Sequence, residues 1–150
     1  MKTVYFDLDG TILDVSERIW RVYRFILKER KKRFLPKDRY LKLKREKRPI
    51  EEILKKTKAE DTFSNYKKEW LKNIESEKYL NLDRLSPERR KILFLLKGKY
   101  NLVLITARKK RKQLHNQLHQ KGISDIFSKV LLPGDGLRAR IRAIKKHGKC

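Results

Sequence analysis

The sequence of 150 residues predicts an α/β protein, in which a parallel sheet forms the core and a long all-helical segment interrupts it. Three observations support this fold class. A short apolar strand opens the chain at Val4–Phe6, residues 14–83 show helical periodicity without a strand, and strands alternate with helices from residue 84 onwards. Such alternation is typical of parallel strands joined by right-handed crossovers. We therefore predict a core formed by 1–13 and 84–150, with a helical domain at 14–83.

Helix signals follow one another through the insert. Asp14, with Glu17 three residues later, matches a capping box and predicts the start of the first helix. Pro36 interrupts the pattern, and Pro49 is placed to begin another helix. Apolar residues recur at helical spacing within these segments: Ile19, Val22, Tyr23 and Ile26, then Phe63, Tyr66, Trp70 and Ile74. We interpret the aromatic stripe as core rather than as a ligand platform.

The α/β pattern resumes after the insert. Ser86 and Pro87 are an N-cap and a first-turn proline, and Gly98 is placed to end that helix. The apolar run Tyr100–Ile105 predicts a buried strand, and a basic helix closed by Gly122 comes next. The final elements are predicted from apolar spacing: a strand within Phe127–Leu132 and a helix carrying Leu137, Ile141 and Ile144.

Residues 6–11, FDLDGT, place two carboxylates at the end of the first strand. Side chains two apart in a strand project to the same side, so Asp7 and Asp9 are predicted to lie together. The carboxyl ends of the strands are where open α/β sheets bind ligands. Crowded carboxylates favour a bound cation or one protonated member, and both states are chemically useful. The alternative is an ordinary exposed turn, since Asp-Gly pairs are common there.

Thr106 ends the second predicted strand, immediately before a basic helix. Its hydroxyl and the free N–H groups of a helix N-terminus would favour a phosphate. Thr106 is equally suited to act as a helix N-cap without any ligand. Arg108, two residues later, is a candidate to assist in anion binding.

These residues closely resemble the first two motifs of the haloacid dehalogenase-like phosphohydrolases, in particular phosphoglycolate phosphatase-like members. The resemblance implies a Rossmann-like core, with Asp7 as a nucleophile that forms an aspartyl-phosphate and Asp9 as the acid/base. It also implies Mg²⁺ held by Asp7 and Asp9, the latter through its backbone carbonyl. The phosphate would be bound near the following residues: Gly10, Thr11, Thr106, Ala107 and Arg108. An acid at position 9 favours phosphate esters over halides as substrates.

The later motifs of this family are harder to place in the sequence. The resemblance implies a lysine near the nucleophile, for which Lys145 is preferred over Lys146 and Lys129. The fourth motif should supply further metal-binding acids after another strand, and only Gly134-Asp135 imitates it. We interpret Asp135 as a loop residue rather than a metal ligand. The core is then expected to stop one strand short, and its exposed backbone groups and apolar surface predict either marginal solubility or homodimers.

Composition limits the remaining function classes. A single cysteine, Cys150, and the lack of a signal-peptide or membrane-spanning pattern predict a cytoplasmic protein. The 42 basic and 18 acidic residues leave a net charge of +24, which attracts polyanions. The insert occupies the position of the family's helical C1 cap, which closes over small phosphorylated metabolites. Two hypotheses from different classes follow: a Mg²⁺-dependent phosphatase, with a phosphomutase as its variant, or an inactive basic nucleic-acid-binding protein on the same scaffold.

Overall fold

The computed structural model describes residues 1–135. Residues Val15–Asp83 form one compact unit, and the described residues before and after it form the other. Within the described part of the chain, no helix is long and apolar enough to cross a membrane.

The unit formed by the residues on either side of Val15–Asp83 contains a parallel sheet in the order β1-β2-β3, which confirms the predicted fold class. Its elements follow the chain: β1 (Thr3–Asp7), α6 (Pro87–Lys97), β2 (Asn101–Ile105), α7 (Arg111–Gln120) and β3 (Lys129–Leu131), with a 3₁₀ turn at Ser124–Ile126. Phe6 pairs with Leu104, which pairs with Val130. The sheet therefore has the connectivity that alternating strands and helices predict.

Burial is uneven across this sheet. The central strand β2 is buried, with Leu102 and Leu104 at 1% and 0% exposure. By contrast, Tyr5 in β1 is 44% exposed, although an apolar run such as Val4–Phe6 is typical of a buried strand. The reason is that, within residues 1–135, β1 pairs with β2 on one edge only. Apolar side chains on α6 are also exposed, namely Ile92, Phe94 and Leu95.

The predicted ends of the core helices are largely confirmed. The Ser86 hydroxyl accepts a hydrogen bond from the Arg89 N–H at 3.3 Å, and Pro87 is the first residue of α6. Gly98 is the C-cap of this helix. After α7, Gly122 adopts a φ of +65° and donates to the His119 carbonyl, which ends the helix as predicted.

The unit Val15–Asp83 contains helices and no strand. It contains α1 (Ser16–Glu29), α2 (Lys37–Arg45), α3 (Ile50–Lys55), α4 (Phe63–Asn73) and α5 (Glu77–Leu80), with a 3₁₀ turn at Glu60–Thr62. Its core includes Val22, Tyr23, Ile26, Tyr40 and Tyr66, with Trp70 packed against them. The interpretation of the aromatic stripe as core is confirmed for Tyr66 and Ile74 and in part for Trp70, but it was wrong for Phe63, which is 44% exposed. A buried ion pair joins Arg18 to Asp83, with Nε and Oδ1 2.8 Å apart.

The predicted capping role of Asp14 was wrong. Helix α1 begins at Ser16, and its N-cap is Val15, without a side-chain cap. The backbone of Asp14 is instead paired with that of Arg84, through hydrogen bonds of 2.8 and 3.0 Å. Glu17 does not reach back to a cap either, because its carboxylate binds Arg21 and Lys37. Tertiary pairing has replaced the local capping box.

Candidate active site at the carboxyl ends of the strands

Asp7 is the last residue of β1 and lies opposite Ile105, the last residue of β2. The residue is open to solvent, and its carboxylate makes no ion pair with any other residue in 1–135. Partial burial raises the pKa of the Asp7 carboxyl above its ordinary value, and the nearby charge of Asp9 raises this pKa further. A hydrogen bond from the Leu8 backbone opposes both effects. The surroundings within residues 1–135 therefore disfavour the charged form of Asp7, and a bound cation would stabilise it.

A tight turn after β1 carries Asp9 to the same end of the sheet. Leu8 and Leu13 anchor this turn in the core at 0% exposure, and the Leu8 carbonyl accepts the N–H groups of Ile12 and Leu13. Gly10 has a φ of +80°, in the left-handed region that favours glycine, and its N–H donates to the Leu13 carbonyl. Thr11 is exposed at the tip of the turn. The DxDGT segment thus presents its polar groups outward, while Leu8 within it and Leu13 after it hold the turn in place.

Asp9 has a cationic partner, in contrast to Asp7. Arg108 donates to the Asp9 carboxylate from Nε (3.1 Å) and Nη2 (2.6 Å). The Arg108 side chain is only 3% exposed, and that of Asp9 is 34% exposed. The third guanidinium nitrogen of Arg108, Nη1, donates to Oε1 of Gln117 at 2.5 Å. The bidentate bond to Asp9 and the bond to the buried Gln117 amide fix the position of the Arg108 guanidinium.

Gln117 was not identified as a site residue from the sequence. It lies on α7 and is 3% exposed, although it is polar. A signal was present, because Gln117 falls on the same helical face as the apolar residues Leu114 and Leu118. A polar residue on an apolar face requires a buried partner, and the sequence did not show that this partner is Arg108.

Thr106 is placed at the site but not at a helix N-terminus. Its N–H donates to the Leu131 carbonyl at 3.0 Å, and its hydroxyl accepts from the Arg108 N–H at 3.3 Å. Helix α7 begins only at Arg111, so the prediction that a helix follows Thr106 at once was wrong. The physical reason is that Arg108 is drawn to Asp9 and Gln117, which holds residues 106–110 in a loop. Within this loop Ala107 is exposed.

The structure thus brings most predicted site residues to one edge of the sheet: Asp7, Asp9, Gly10, Thr11, Thr106, Ala107 and Arg108. Lys129 is not among them, because it begins β3 and pairs with Val103, two residues before the end of β2. Lys145 and Lys146 lie outside the described residues. For Lys145, therefore, a role in the site stays a prediction.

Asp135 is engaged in a local turn. Both of its carboxylate oxygens lie within 2.8 Å of Arg111 Nη2, and Oδ2 also accepts from the Leu132 N–H. Residues 1–135 contain no cluster of three or more His, Cys, Asp or Glu side chains arranged to hold a metal ion. The chemistry at β1 nevertheless fits Mg²⁺, which commonly binds through one or two carboxylates and retains several waters. Asp7 offers such an oxygen with no counter-charge among these residues, and the Asp9 carbonyl follows two residues later.

Solved structures similar to this chain share its fold at low sequence identity. A protein from Haemophilus somnus, described as a predicted phosphoglycolate phosphatase, is 22% identical, with a TM-score of 0.69 over 98% of this chain and 72% of that one. A HAD-superfamily hydrolase of subfamily IA from Geobacter sulfurreducens is 16% identical, with a TM-score of 0.70 over 99% and 73%. YfnB from Bacillus subtilis, provisionally assigned as a HAD hydrolase and bound to magnesium, is 16% identical, with a TM-score of 0.61 over 89% and 64%.

No curated protein sequence matches the chain. The sequence profile of the haloacid dehalogenase-like hydrolases, however, matches residues 4–138, which include the DxDGT turn, the helical insert, Thr106 and Arg108. The same residues build the strand-end site described above. The chain therefore belongs to the haloacid dehalogenase-like hydrolase family.

Proposed function

We propose that the protein is a Mg²⁺-dependent phosphatase that hydrolyses small phosphate esters through an aspartyl-phosphate on Asp7. The observation that carries this proposal is the unequal environment of the two aspartates. Asp7 is exposed at the strand end without an ion-pair partner in residues 1–135, whereas Arg108 binds the Asp9 carboxylate through two hydrogen bonds. Two carboxylates in different environments are suited to different roles in one reaction.

Asp7 is the nucleophile in this mechanism. One of its carboxylate oxygens attacks phosphorus, the new Asp7–phosphorus bond forms, and the bond from phosphorus to the ester oxygen breaks. Asp9 donates a proton to the departing oxygen. In the second half of the reaction Asp9 removes a proton from water, which attacks the aspartyl-phosphate and releases inorganic phosphate with Asp7 regenerated.

Arg108 has a double role in this proposal. In the structure it is bonded to Asp9 and Gln117, and its guanidinium favours the ionised form of a carboxylate. A phosphate dianion competes for the same guanidinium and weakens its hold on Asp9, which allows Asp9 to carry the proton it must donate. Gln117 keeps Arg108 within reach of both anions.

Other groups would complete the phosphate and metal environment. Mg²⁺ bound by Asp7 and the Asp9 carbonyl would offset the repulsion between the nucleophile and the phosphate. Thr106, Ala107, Gly10 and Thr11 are proposed to contact the phosphate oxygens. Lys145 is proposed to balance the charge of Asp7.

The helical unit Val15–Asp83 is proposed to act as the cap that admits a small phosphorylated metabolite and excludes water. A phosphomutase differs from this phosphatase in the acceptor of the phosphoryl group, so measurement of released inorganic phosphate separates the two. We also propose a cytoplasmic location, since a single cysteine suits a reducing compartment.

The decisive experiment measures turnover of p-nitrophenyl phosphate with and without Mg²⁺. We expect activity that is lost on chelation, restored by Mg²⁺ and abolished in Asp7→Asn. Asp135→Asn is the matched control, because it makes the same chemical change at an aspartate bonded to Arg111. Turnover that survives in Asp7→Asn, or that is equally lost in Asp135→Asn, would contradict the proposed mechanism.

A further inference from the structure

A basic groove runs along the helical unit between α1 and α5. It has a volume of about 460 Å³. Four cationic side chains line it: Arg21, Arg24, Lys28 and Lys78. Phe25, Tyr79 and Leu82 provide its apolar surface, and no carboxylate is among the lining residues. The groove lies wholly within Val15–Asp83 and is separate from the strand-end site.

The cations of this groove are poorly compensated. Arg21 is paired with Glu17, but Arg24, Lys28 and Lys78 make no ion pair with any residue in the described part of the chain. Burial is the main cause of the raised pKa of the Tyr79 phenol in this groove, while the charge of Arg21 lowers this pKa and the charge of Glu29 raises it. Like charges held together without counter-charge repel one another, and a bound anion relieves that cost.

Arg24 contributes a second observation. Its guanidinium lies 5.4 Å from the ring centroid of Trp20 and 5.3 Å from that of Phe34, and these contacts fix the half-buried side chain. Its Nε atom is buried and has no hydrogen-bond partner within residues 1–135. Because that atom is closed to solvent, the attraction of the groove for an anion comes from the charge of Arg24 and not from this unmatched donor.

The shape of the cationic row favours a polymer over a single phosphate. Arg21, Arg24 and Lys28 follow one another at helical spacing on one face of α1. Seven residues of helix rise about 10 Å, which is longer than one phosphate group. Phe25 lies within this row, and Lys78 reaches over its ring with Nζ 5.9 Å from the centroid. Alternating cations and an aromatic surface are typical of sites that bind single-stranded nucleic acid.

We propose that the α1–α5 groove binds the phosphate backbone of single-stranded nucleic acid, with a base against the apolar surface beside Phe25. This proposal does not depend on the phosphatase activity and accounts for part of the net charge of +24, which a small anionic substrate leaves unexplained. Binding at this groove uses none of the strand-end residues.

The test measures the affinity of the full chain for a single-stranded oligonucleotide of about twelve nucleotides across a salt series. Lys28→Gln/Lys78→Gln removes two exposed cations from the groove, and Lys91→Gln/Lys97→Gln removes two exposed cations from the other unit. In single strands, each phosphate contact adds roughly 0.7 to the slope of log affinity against log salt concentration. The groove variant loses two such contacts, so this slope should fall by about 1.4 and the affinity should fall at least about 5-fold. The control variant should change both much less, and Asp7→Asn should bind like the parent chain.

Several results would overturn the proposal. One is that the parent chain does not bind the oligonucleotide at low salt. Another is that the groove and control variants lose affinity equally. A third is that vesicles of anionic lipid bind the chain more tightly than the oligonucleotide does. An affinity that changes in Asp7→Asn as much as in the groove variant, in either direction, would place the nucleic acid at the strand-end site instead. Thermal melting of each variant checks that the substitutions leave the fold intact. Because binding is measured without turnover, an inactive phosphatase does not affect the result.

Discussion

Arg108 joins the loop after β2 to the turn after β1 by donating two hydrogen bonds, of 3.1 and 2.6 Å, to the carboxylate of Asp9. The two residues are 99 positions apart in the chain. Their contact gives the aspartates of the DxDGT turn opposite environments, since Asp9 is neutralised while Asp7 has no ion-pair partner in residues 1–135. The candidate nucleophile and the candidate acid/base are thereby distinguished by structure as well as by order in the sequence.

Replacement of Arg108 by Met should impair both activity and stability. Hydrogen bonds to charged groups contribute about 1.5–3 kcal/mol each, and this substitution removes those to Asp9 and Gln117. We expect kcat/KM for p-nitrophenyl phosphate to fall at least about 10-fold, which corresponds to about 1.4 kcal/mol. Arg108→Lys should retain an intermediate activity, because it keeps the charge and loses the bidentate geometry.

The matched control for that substitution is Arg111→Met. Arg111 pairs with Asp135, and its side chain is 53% exposed, so its loss should cost at most about 1 kcal/mol. Steady-state kinetics and urea unfolding on both variants provide the comparison. Equal effects of the two substitutions would show that the bonds of Arg108 to Asp9 are of no special importance.

Gly10→Ala tests the backbone of the DxDGT turn. Gly10 has a φ of +80°, and an added Cβ would meet no atom within 4 Å. The cost therefore comes from the backbone conformation alone, and we expect a destabilisation of about 1–2 kcal/mol by urea unfolding. Gly98→Ala is the control, because Gly98 has a φ of −71° and should tolerate alanine. A neutral Gly10→Ala variant would contradict the assigned turn.

Arg18→Met tests the buried ion pair of the helical unit. The side chains of Arg18 and Asp83 are 2% and 0% exposed, and Arg18 Nη1 also donates to the Ile74 carbonyl at 2.9 Å. Removal of one partner from a buried pair typically costs about 3–5 kcal/mol. Lys32→Met breaks the pair with the exposed Asp61 and should shift the denaturant midpoint much less. Similar denaturant midpoints for both variants would show that the buried pair adds little.

Glu17 should make the stability of the helical unit depend on pH. Hydrogen bonds from Lys37 and Arg21 lower the pKa of Glu17 below its ordinary value of 4.5, and the bond from Lys37 has the larger effect. A lowered folded pKa stabilises the native state above the ordinary value, and this contribution is lost as the pH falls through the folded pKa. Glu17→Gln should therefore melt at a lower temperature than the parent chain near neutral pH, and the difference should shrink in acid. A difference that is constant with pH would disprove this origin.

Local chemistry in the sequence was sufficient to predict the elements of the core. The apolar runs before Asp7 and Thr106 predicted two strands, and Ser86, Pro87 and Gly98 correctly predicted the ends of α6. These signals depend on neighbours within a few residues, so no long-range information was needed. Because parallel strands place their carboxyl ends at one edge, the sequence also predicted that Asp7 and Thr106 would share that edge.

Contacts between distant residues were decided only in the tertiary structure. The cap predicted at Asp14 was replaced by backbone pairing with Arg84, and the helix predicted after Thr106 was delayed to Arg111. In both places a distant partner outweighed a local preference, which contributes only about 1 kcal/mol.

The sequence by itself determined the family, the strands and the pair of aspartates, because motif and periodicity are local properties. The folded chain decided which aspartate is neutralised, since the pairing of β1 with β2 brings Arg108 to Asp9, 99 positions away in the chain. It also collected the cations of α1 and α5 around one groove, although they are separated in the sequence by most of the helical unit. Charge compensation depends on distance in space, and for these groups folding alone sets that distance.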